Sequence, residues 1–129
     1  MSDLTTILYV EDDPDIQAVA QMALEVVGGF TVMLASSGES GLAAAADNQP
    51  DLILLDVMMP TMDGPATLSA LKADPALAHI PVIFVTAKVQ SSEVEHYKSL
   101  GAVDVIAKPF DPMTLSDNVR AIWSRAVTT

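Results

Sequence analysis

Five side chains with charged or reactive groups directly follow short apolar runs in the sequence. Glu11 and Asp12 follow "ILYV", Asp56 follows "LILL", Thr86 follows "VIFV" and Lys108 follows "VDVIA". Acids and lysines are rarely buried unless they are paired. If the apolar runs are neighbouring parallel strands, these side chains emerge together at the carboxyl edge of one sheet, where ligands bind in folds of this kind.

Three of these side chains are carboxylates, and their expected closeness predicts a metal site. Glu11, Asp12 and Asp56 would repel one another, and Lys108 alone cannot balance them. A hard divalent cation can. Oxygen ligands without His or Cys favour Mg²⁺, which takes one or two carboxylates, keeps several waters and uses its other positions for phosphate oxygens.

The same cluster could carry out phosphoryl transfer. A carboxylate such as Asp56 can attack a phosphoryl group and form an acyl phosphate. The reaction requires in-line approach and stabilisation of charge on the phosphoryl oxygens, with little else from the protein. Mg²⁺, the Lys108 ammonium and the Thr86 hydroxyl would supply those contacts.

The elements that position these residues follow from an alternation of apolar runs with segments of helical periodicity, which repeats five times. This pattern predicts an α/β fold, a (βα)5 doubly wound five-stranded parallel sheet of the flavodoxin-like kind, with strand order 2-1-3-4-5. Short runs rich in Val, Ile and Leu are typical of strands that helices cover on both faces. The predicted strands are Thr6–Val10, Thr31–Ala35, Leu52–Leu55, Val82–Val85 and Val103–Ala107.

Helix ends are predicted from capping residues and from apolar periodicity. N-caps before proline, a capping box and C′ glycines are expected, in that order, at Asp13 and Asp111, at Ser36 with Glu39, and at Gly28 and Gly101. The last helix should bury the stripe Leu115, Val119, Ile122 and Ala126, with Trp123 at its flank. The largely polar segment from Ser91 to Leu100 is expected to be a weakly packed, movable helix.

Length and composition limit the class of protein. We expect one domain spanning residues 1–129, with 50% hydrophobic and 18% charged residues. A net charge of -11 argues against nucleic acid and anionic lipid as partners. The chain has no cysteine, no signal-peptide pattern and no apolar run long enough to span a bilayer, so we expect no membrane association and a cytoplasmic location.

Four segments together resemble the receiver domain of bacterial two-component response regulators, of the chemotaxis-regulator kind. They are "ILYVEDDPDI", "DLILLDVMMPTMDG", "IPVIFVTA" and "GAVDVIAKPF". The resemblance extends from about residue 7 to about residue 126. It implies a phosphoacceptor in a phosphorelay rather than a turnover enzyme, with a sensor histidine kinase or phosphotransfer protein and an unidentified downstream protein as partners.

The resemblance also implies a role for each site residue. Asp56 would accept a phosphoryl group from a phosphohistidine, Thr86 would hydrogen-bond it and Lys108 would pair with it. The peptide bond before Pro109 would be cis, which is a minority state for X-Pro bonds.

The metal ligands are implied in the same way. Asp12, Asp56 and the backbone carbonyl of Met58 would bind Mg²⁺ directly, and Glu11 would act through water. No residue in this set departs from the family's pattern.

One position does depart from it. Receivers usually carry Tyr or Phe three residues before the Lys-Pro step, and that aromatic swings inward on activation. Here the residue is Val105, whose β-branched side chain has few rotamers and cannot report by such a swing. An alternative function is therefore a receiver-like protein-binding module that works without phosphorylation.

Two other classes fit less well. A haloacid-dehalogenase-like phosphatase needs a second Asp two residues after its nucleophile, where this chain has Met58. A flavodoxin-like carrier needs a phosphate-binding loop after the first strand, where "EDDP" would repel phosphate.

We expect a stand-alone regulator or an excised receiver, as a monomer or weak dimer.

Overall fold

Five parallel strands form a single sheet in the computed structural model, which describes residues 4–127. The strands are β1 Thr6–Val10, β2 Thr31–Ala35, β3 Leu52–Asp56, β4 Val82–Thr86 and β5 Asp104–Ala107. Their order is β2-β1-β3-β4-β5, and every pair is parallel. The predicted fold class, strand direction and strand order are confirmed.

Helices cover both faces of the sheet. They are α1 Pro14–Met22, which continues into a π-helical turn at Ala23–Val27, α2 Gly38–Asn48, α3 Gly64–Ala73, α4 Ser91–Ser99 and α5 Leu115–Val127. One core cluster packs α2, α3 and α4 on one face, and a second packs α1 and α5 on the other. No helix among residues 4–127 has the length and apolar character that a bilayer crossing requires.

The apolar run that leads into Asp56 is explained by burial on both faces. All five residues of β3 are buried, and β3 lies between β1 and β4 in the centre of the sheet. A strand in that position has no solvent face, so its side chains do not alternate between apolar and polar. The run can therefore place a carboxylate only at its end, where the sheet opens to solvent.

The predicted strand bounds need small corrections at three ends. β3 includes Asp56 and β4 includes Thr86, each one residue longer than predicted, and β5 begins at Asp104 rather than Val103. In the register of the sheet, Asp56 is the partner of Val85 and Thr86 is the partner of Ala107. These two residues therefore belong to the hydrogen-bonded sheet, which holds their backbone more firmly than a loop would.

The predicted caps are partly right. Asp13 caps α1, and its Oδ1 accepts hydrogen bonds from the backbone N–H groups of Asp15 at 2.8 Å and Ile16 at 3.4 Å. The capping box predicted for Ser36 and Glu39 is wrong, because Ser37 is the N-cap of α2 and forms the box with Ser40. Ser37 has the extended backbone that an N-cap requires, so the chain enters the helix one residue later.

The start of α5 also differs from the prediction. Asp111 caps a turn that precedes the helix: its Oδ1 accepts from the Met113 N–H at 2.8 Å, while regular α-helix begins at Leu115. The Leu115 N–H still donates to the Asp111 carbonyl at 3.0 Å. The apolar stripe of α5 is confirmed at its buried positions, Leu115, Val119 and Ile122.

The two predicted C′ glycines have different outcomes. Gly101 follows α4 with φ +118°, the conformation that favours glycine at a helix end. Gly28 has φ -91°, and Gly29 carries the positive φ of 76° instead. The π-helical turn Ala23–Val27 takes up an extra residue at the end of α1 and moves the turn along by one position.

Helix α4 is weakly packed, as its largely polar sequence predicted. Tyr97 is its one buried residue among those described, and its ring lies 5.1 Å from that of Phe84. A helix anchored by so little buried surface is held weakly. Its movement stays a prediction.

Asp51 connects the start of β3 to the start of β1. Its Oδ2 accepts four hydrogen bonds from the N–H and hydroxyl groups of Thr5 and Thr6, at 2.9–3.1 Å. Burial alone would raise the pKa of Asp51, but these hydrogen bonds outweigh it and lower the pKa. The ionised carboxylate therefore stabilises the folded state.

This arrangement makes stability depend on pH in a defined direction. A lowered folded-state pKa stabilises above the unfolded pKa of about 3.9, and that stability is lost as pH falls through the folded value. We expect Asp51→Ala to lower the unfolding free energy at pH 7 by about 1–2 kcal/mol, and the difference from wild type to shrink below pH 4. Urea unfolding followed by circular dichroism measures both. Asp47→Asn, at an exposed position in α2, is the control; a difference that stays constant down to pH 3 would contradict the account.

Candidate functional site

Asp56 ends β3 with its side chain almost fully enclosed, at 3% exposure. The loop after Asp56 folds back on itself, so that the Gly64 N–H donates to the Val57 carbonyl at 2.8 Å. A Cβ at Gly64 would lie 2.5 Å from the carbonyl oxygen of Asp56. Glycine at this position therefore allows α3, capped by Asp63, to begin directly against the acid.

Glu11 is the most enclosed acid of the site, at 1% exposure. Its backbone is fixed on both sides: its N–H donates to Ala35 at 2.9 Å, and the Gln17 side-chain amide donates to its carbonyl at 2.5 Å. Its carboxylate accepts from the Asp13 N–H at 3.1 Å. The carboxylate is thus held in one orientation by contacts to β2, α1 and the loop itself.

Asp12 is exposed beside it. Desolvation and a hydrogen bond with Glu11 raise the pKa of Asp12 above its usual value. Two carboxyl groups this close disfavour the ionised form of at least one of them. A bound cation would remove that penalty.

Lys108 is the cation that the structure places among these acids. Its Nζ lies 2.8 Å from Glu11 Oε1 and 3.0 Å from Asp56 Oδ1. Burial opposes its charge, but the hydrogen bonds and attraction of Glu11 and Asp56 prevail and raise the pKa of Lys108. The following bond to Pro109 is cis, as predicted, and the Lys108 N–H donates to the Thr86 carbonyl at 2.9 Å.

Thr86 ends β4 at 3% exposure and faces the same cleft. Its Oγ1 accepts from the Lys88 N–H at 3.2 Å. The hydroxyl can therefore donate its own proton to an acceptor in the cleft.

One cleft of about 320 Å³ contains every residue that the sequence predicted for the site. They are Glu11, Asp12, Asp56, Met58, Thr86 and Lys108. Their individual roles stay predictions. Their meeting is a structural fact, produced by the alignment of four strand ends.

The donor set suits a hard cation. Glu11, Asp12 and Asp56 each offer a carboxylate oxygen, and these oxygens lie within 4.8 Å of one another. Oxygen ligands at this spacing match the preference of Mg²⁺. The Met58 side chain is 70% exposed, so any contribution from Met58 would come from its backbone carbonyl.

Sequence reasoning missed Tyr9. Its side chain is fully buried in β1, and its hydroxyl lies 3.4 Å from Glu11 Oε1. Burial, and then the negative charges of Glu11 and Asp56, raise the pKa of Tyr9 far above its usual value, so the phenol stays protonated. The signal available in the sequence was a single aromatic inside the aliphatic run "ILYV", two residues before the first acid.

Val105 is partly buried in β5, where it is the register partner of Phe84 and packs against the α2–α3–α4 core. The position at which the resemblance implies a swinging aromatic is thus filled by a short side chain. The altered relay of a signal through this position stays a prediction.

Comparison with known proteins matches the arrangement to one family. The family model described as the response regulator receiver domain matches residues 7–120. The transcriptional regulatory protein CseB of Streptomyces avermitilis is 38% identical over 125 residues, covering 97% of this chain and 52% of CseB. The DNA-binding dual master transcriptional regulator RpaA of Synechocystis is 39% identical over 119 residues, covering 92% and 49%.

The fold comparison agrees. The solved structure of the chemotaxis response regulator CheY4 of Vibrio cholerae has a TM-score of 0.86 and 27% identity, covering 93% of this chain and 99% of that one. The chain belongs to the response regulator receiver domain family, whose members act in two-component signalling. It spans about half the length of the curated relatives it matches.

The charge balance of the cleft leads to a test of stability. Replacing Lys108 by Met would leave buried carboxylates without their cation, a change that costs about 3–5 kcal/mol in buried pairs. We expect Lys108→Met to be destabilised to this extent in EDTA, and part of the loss to be recovered in Mg²⁺. Thermal or urea unfolding of both proteins measures the effect.

Lys88→Met provides the matched control, because Lys88 is exposed at the rim of the same cleft. Its unfolding free energy should stay close to that of wild type in both buffers. If Lys108→Met and Lys88→Met were equally stable in EDTA, Lys108 would not be the counterion of the acids.

Proposed function

We propose that this chain is a phosphoacceptor: Asp56 takes a phosphoryl group from a phosphohistidine of a sensor histidine kinase or phosphotransfer protein, with Mg²⁺ bound by the acidic cluster. The observation that carries the proposal is the position of the Asp56 carboxylate, which is buried at a strand end, 3.0 Å from an ammonium and beside two further acids. Receiver domains bind Mg²⁺ in an acidic pocket, and Glu11, Asp12 and Asp56 offer carboxylate oxygens of the kind such a pocket requires.

Each site residue has a separate role in the proposed transfer. An Asp56 carboxylate oxygen attacks phosphorus, the P–N bond to the imidazole breaks, and the imidazole nitrogen keeps the electron pair and takes up a proton. Lys108 turns from Asp56 to the incoming phosphoryl group, and the Thr86 hydroxyl donates to one of its oxygens. Asp12, Asp56 and the Met58 carbonyl would hold Mg²⁺ directly, and Glu11 would hold it through water. The bound ion would supply positive charge to the transferring group.

The partners follow from the family and from the chemistry. A donor histidine must approach the open side of the cleft, and the product changes the charge of one surface of the domain, which a downstream protein can recognise. Each chain would accept and then lose one phosphoryl group, so we do not class it as a turnover enzyme. Cytoplasmic location, absence of nucleic-acid contact by this domain and the monomer or weak dimer stay predictions.

Intact-mass spectrometry tests the proposal directly. Incubation with a small-molecule phosphodonor and Mg²⁺ should add a single phosphoryl group, since the proposal assigns the nucleophile to Asp56 alone. Asp56→Asn should abolish the adduct, and EDTA should prevent it.

Asp63→Asn is a suitable control, because Asp63 caps α3 close by but lies outside the acidic cluster. It should be phosphorylated like wild type. A wild-type protein that stays unmodified under these conditions would refute the phosphoacceptor proposal.

A wild-type protein that stays unmodified would favour the alternative function, a receiver-like binding module that works without phosphorylation. Val105 is the observation that supports this alternative, because the usual aromatic relay is missing. Magnesium-dependent modification separates the two functions, since the binding module requires none.

The proposal also predicts the behaviour of position 105. Val105→Tyr should leave the phosphorylation rate nearly unchanged, because Val105 lies outside the cleft that holds the reacting groups. Time-resolved intact mass measures the rate, with Val103→Ile as a conservative change just before the same strand. A large fall in the rate for Val105→Tyr alone would show that β5 and the site are coupled.

A further inference from the structure

Tyr9 has a hydroxyl that packing does not require. The residue is fully buried in β1, where its register partners are Leu34 and Leu54, and it belongs to the α1–α5 core. Phenylalanine would fill the same space. Burying a hydroxyl costs free energy unless it forms a hydrogen bond, so the partner of this hydroxyl indicates its purpose.

That partner is Glu11. The Tyr9 hydroxyl donates to Glu11 Oε1 across 3.4 Å, and the same oxygen accepts from Lys108 Nζ at 2.8 Å. The other oxygen of Glu11 accepts from the Asp13 N–H. Both carboxylate oxygens are therefore held, and Oε1 has two donors, the Tyr9 hydroxyl and the Lys108 ammonium.

The two donors to Oε1 differ in what happens to them during the reaction. In the proposed function, Lys108 turns to the phosphoryl group on Asp56, and this movement would take its ammonium away from Glu11 Oε1. Tyr9 cannot follow, because its ring is enclosed in the core. The phenol hydroxyl thus stays with Glu11 when the ammonium departs, and it continues to donate to Oε1.

We propose that Tyr9 is a positioning residue for the magnesium site, whose hydroxyl holds the buried Glu11 carboxylate in the orientation that receives the ion. The inference rests on the proposed function and extends it to a residue behind the ligands. Groups that hydrogen-bond to metal ligands fix their orientation, and losing one commonly weakens metal binding by about 10–100-fold. The long Tyr9–Glu11 distance places the expected effect at the lower end of that range.

The test compares Mg²⁺ affinity in Tyr9→Phe and wild type by isothermal titration calorimetry, without a phosphodonor. Tyr9→Phe should raise the dissociation constant by about 10-fold. Tyr97→Phe is the matched control, because Tyr97 is also a buried tyrosine but packs against Phe84 and lies outside the acidic cluster. Its Mg²⁺ affinity should equal that of wild type.

Stability with and without the ion distinguishes positioning from packing. A ligand stabilises the folded state according to its affinity, so Tyr9→Phe should lose more unfolding free energy in Mg²⁺ than in EDTA. A purely structural hydroxyl would give the same loss in both buffers. That result, or an unchanged dissociation constant, would overturn the inference.

A double-mutant cycle tests the route through Glu11. In the Glu11→Gln background, Tyr9→Phe should change the Mg²⁺ dissociation constant much less than in wild type, because residues in contact are energetically coupled. An equal change in both backgrounds would mean that Tyr9 acts by another path. If wild type itself failed to bind Mg²⁺, the proposed function would fail; if wild type bound and Tyr9→Phe bound equally, the Tyr9 inference alone would fail.

Discussion

The repulsion among three carboxylates at one edge of a sheet is the constraint on which the rest of the structure depends. Glu11 and Asp56 are almost fully buried, and Asp12 lies within 4.8 Å of both. Lys108 alone offsets them in the described structure, at distances of 2.8 and 3.0 Å. Bringing acids together without enough counter-charge is unfavourable, and a bound divalent cation would relieve that repulsion.

The fold resists this repulsion by fixing the backbone beneath each acid. Asp56 and Thr86 are paired residues of the sheet, and the loop that carries Glu11 is tied to β2 and α1. At the other end of β1 and β3, Asp51 receives four hydrogen bonds from Thr5 and Thr6. Apolar packing on both faces supplies the free energy that lets a destabilised cluster persist. The contacts that stabilise the fold thus surround the site, whereas the acidic cluster itself is destabilising.

The side of the sheet that carries β5 and α4 has fewer buried residues than β3 and β4. α4 buries a single residue among those described, and Val105 in β5 provides a short, partly buried side chain. Neither α4 nor Val105 contributes a side chain to the cleft.

The sequence by itself determined the fold class and the strand order, and it predicted the residues that line the cleft, because buried parallel strands appear as apolar runs and their ends as exceptions to those runs. Met58 was predicted only from the resemblance to a family. Sequence reasoning misjudged local boundaries: the cap of α2 at Ser37, the start of α5 at Leu115 and the glycine with positive φ at position 29. Those choices depend on how each helix docks, not on the nearest capping residue. Only the tertiary structure decided that Lys108 bridges Glu11 and Asp56 and that Tyr9 reaches Glu11, because contacts across strands depend on register and side-chain direction, which no linear pattern contains.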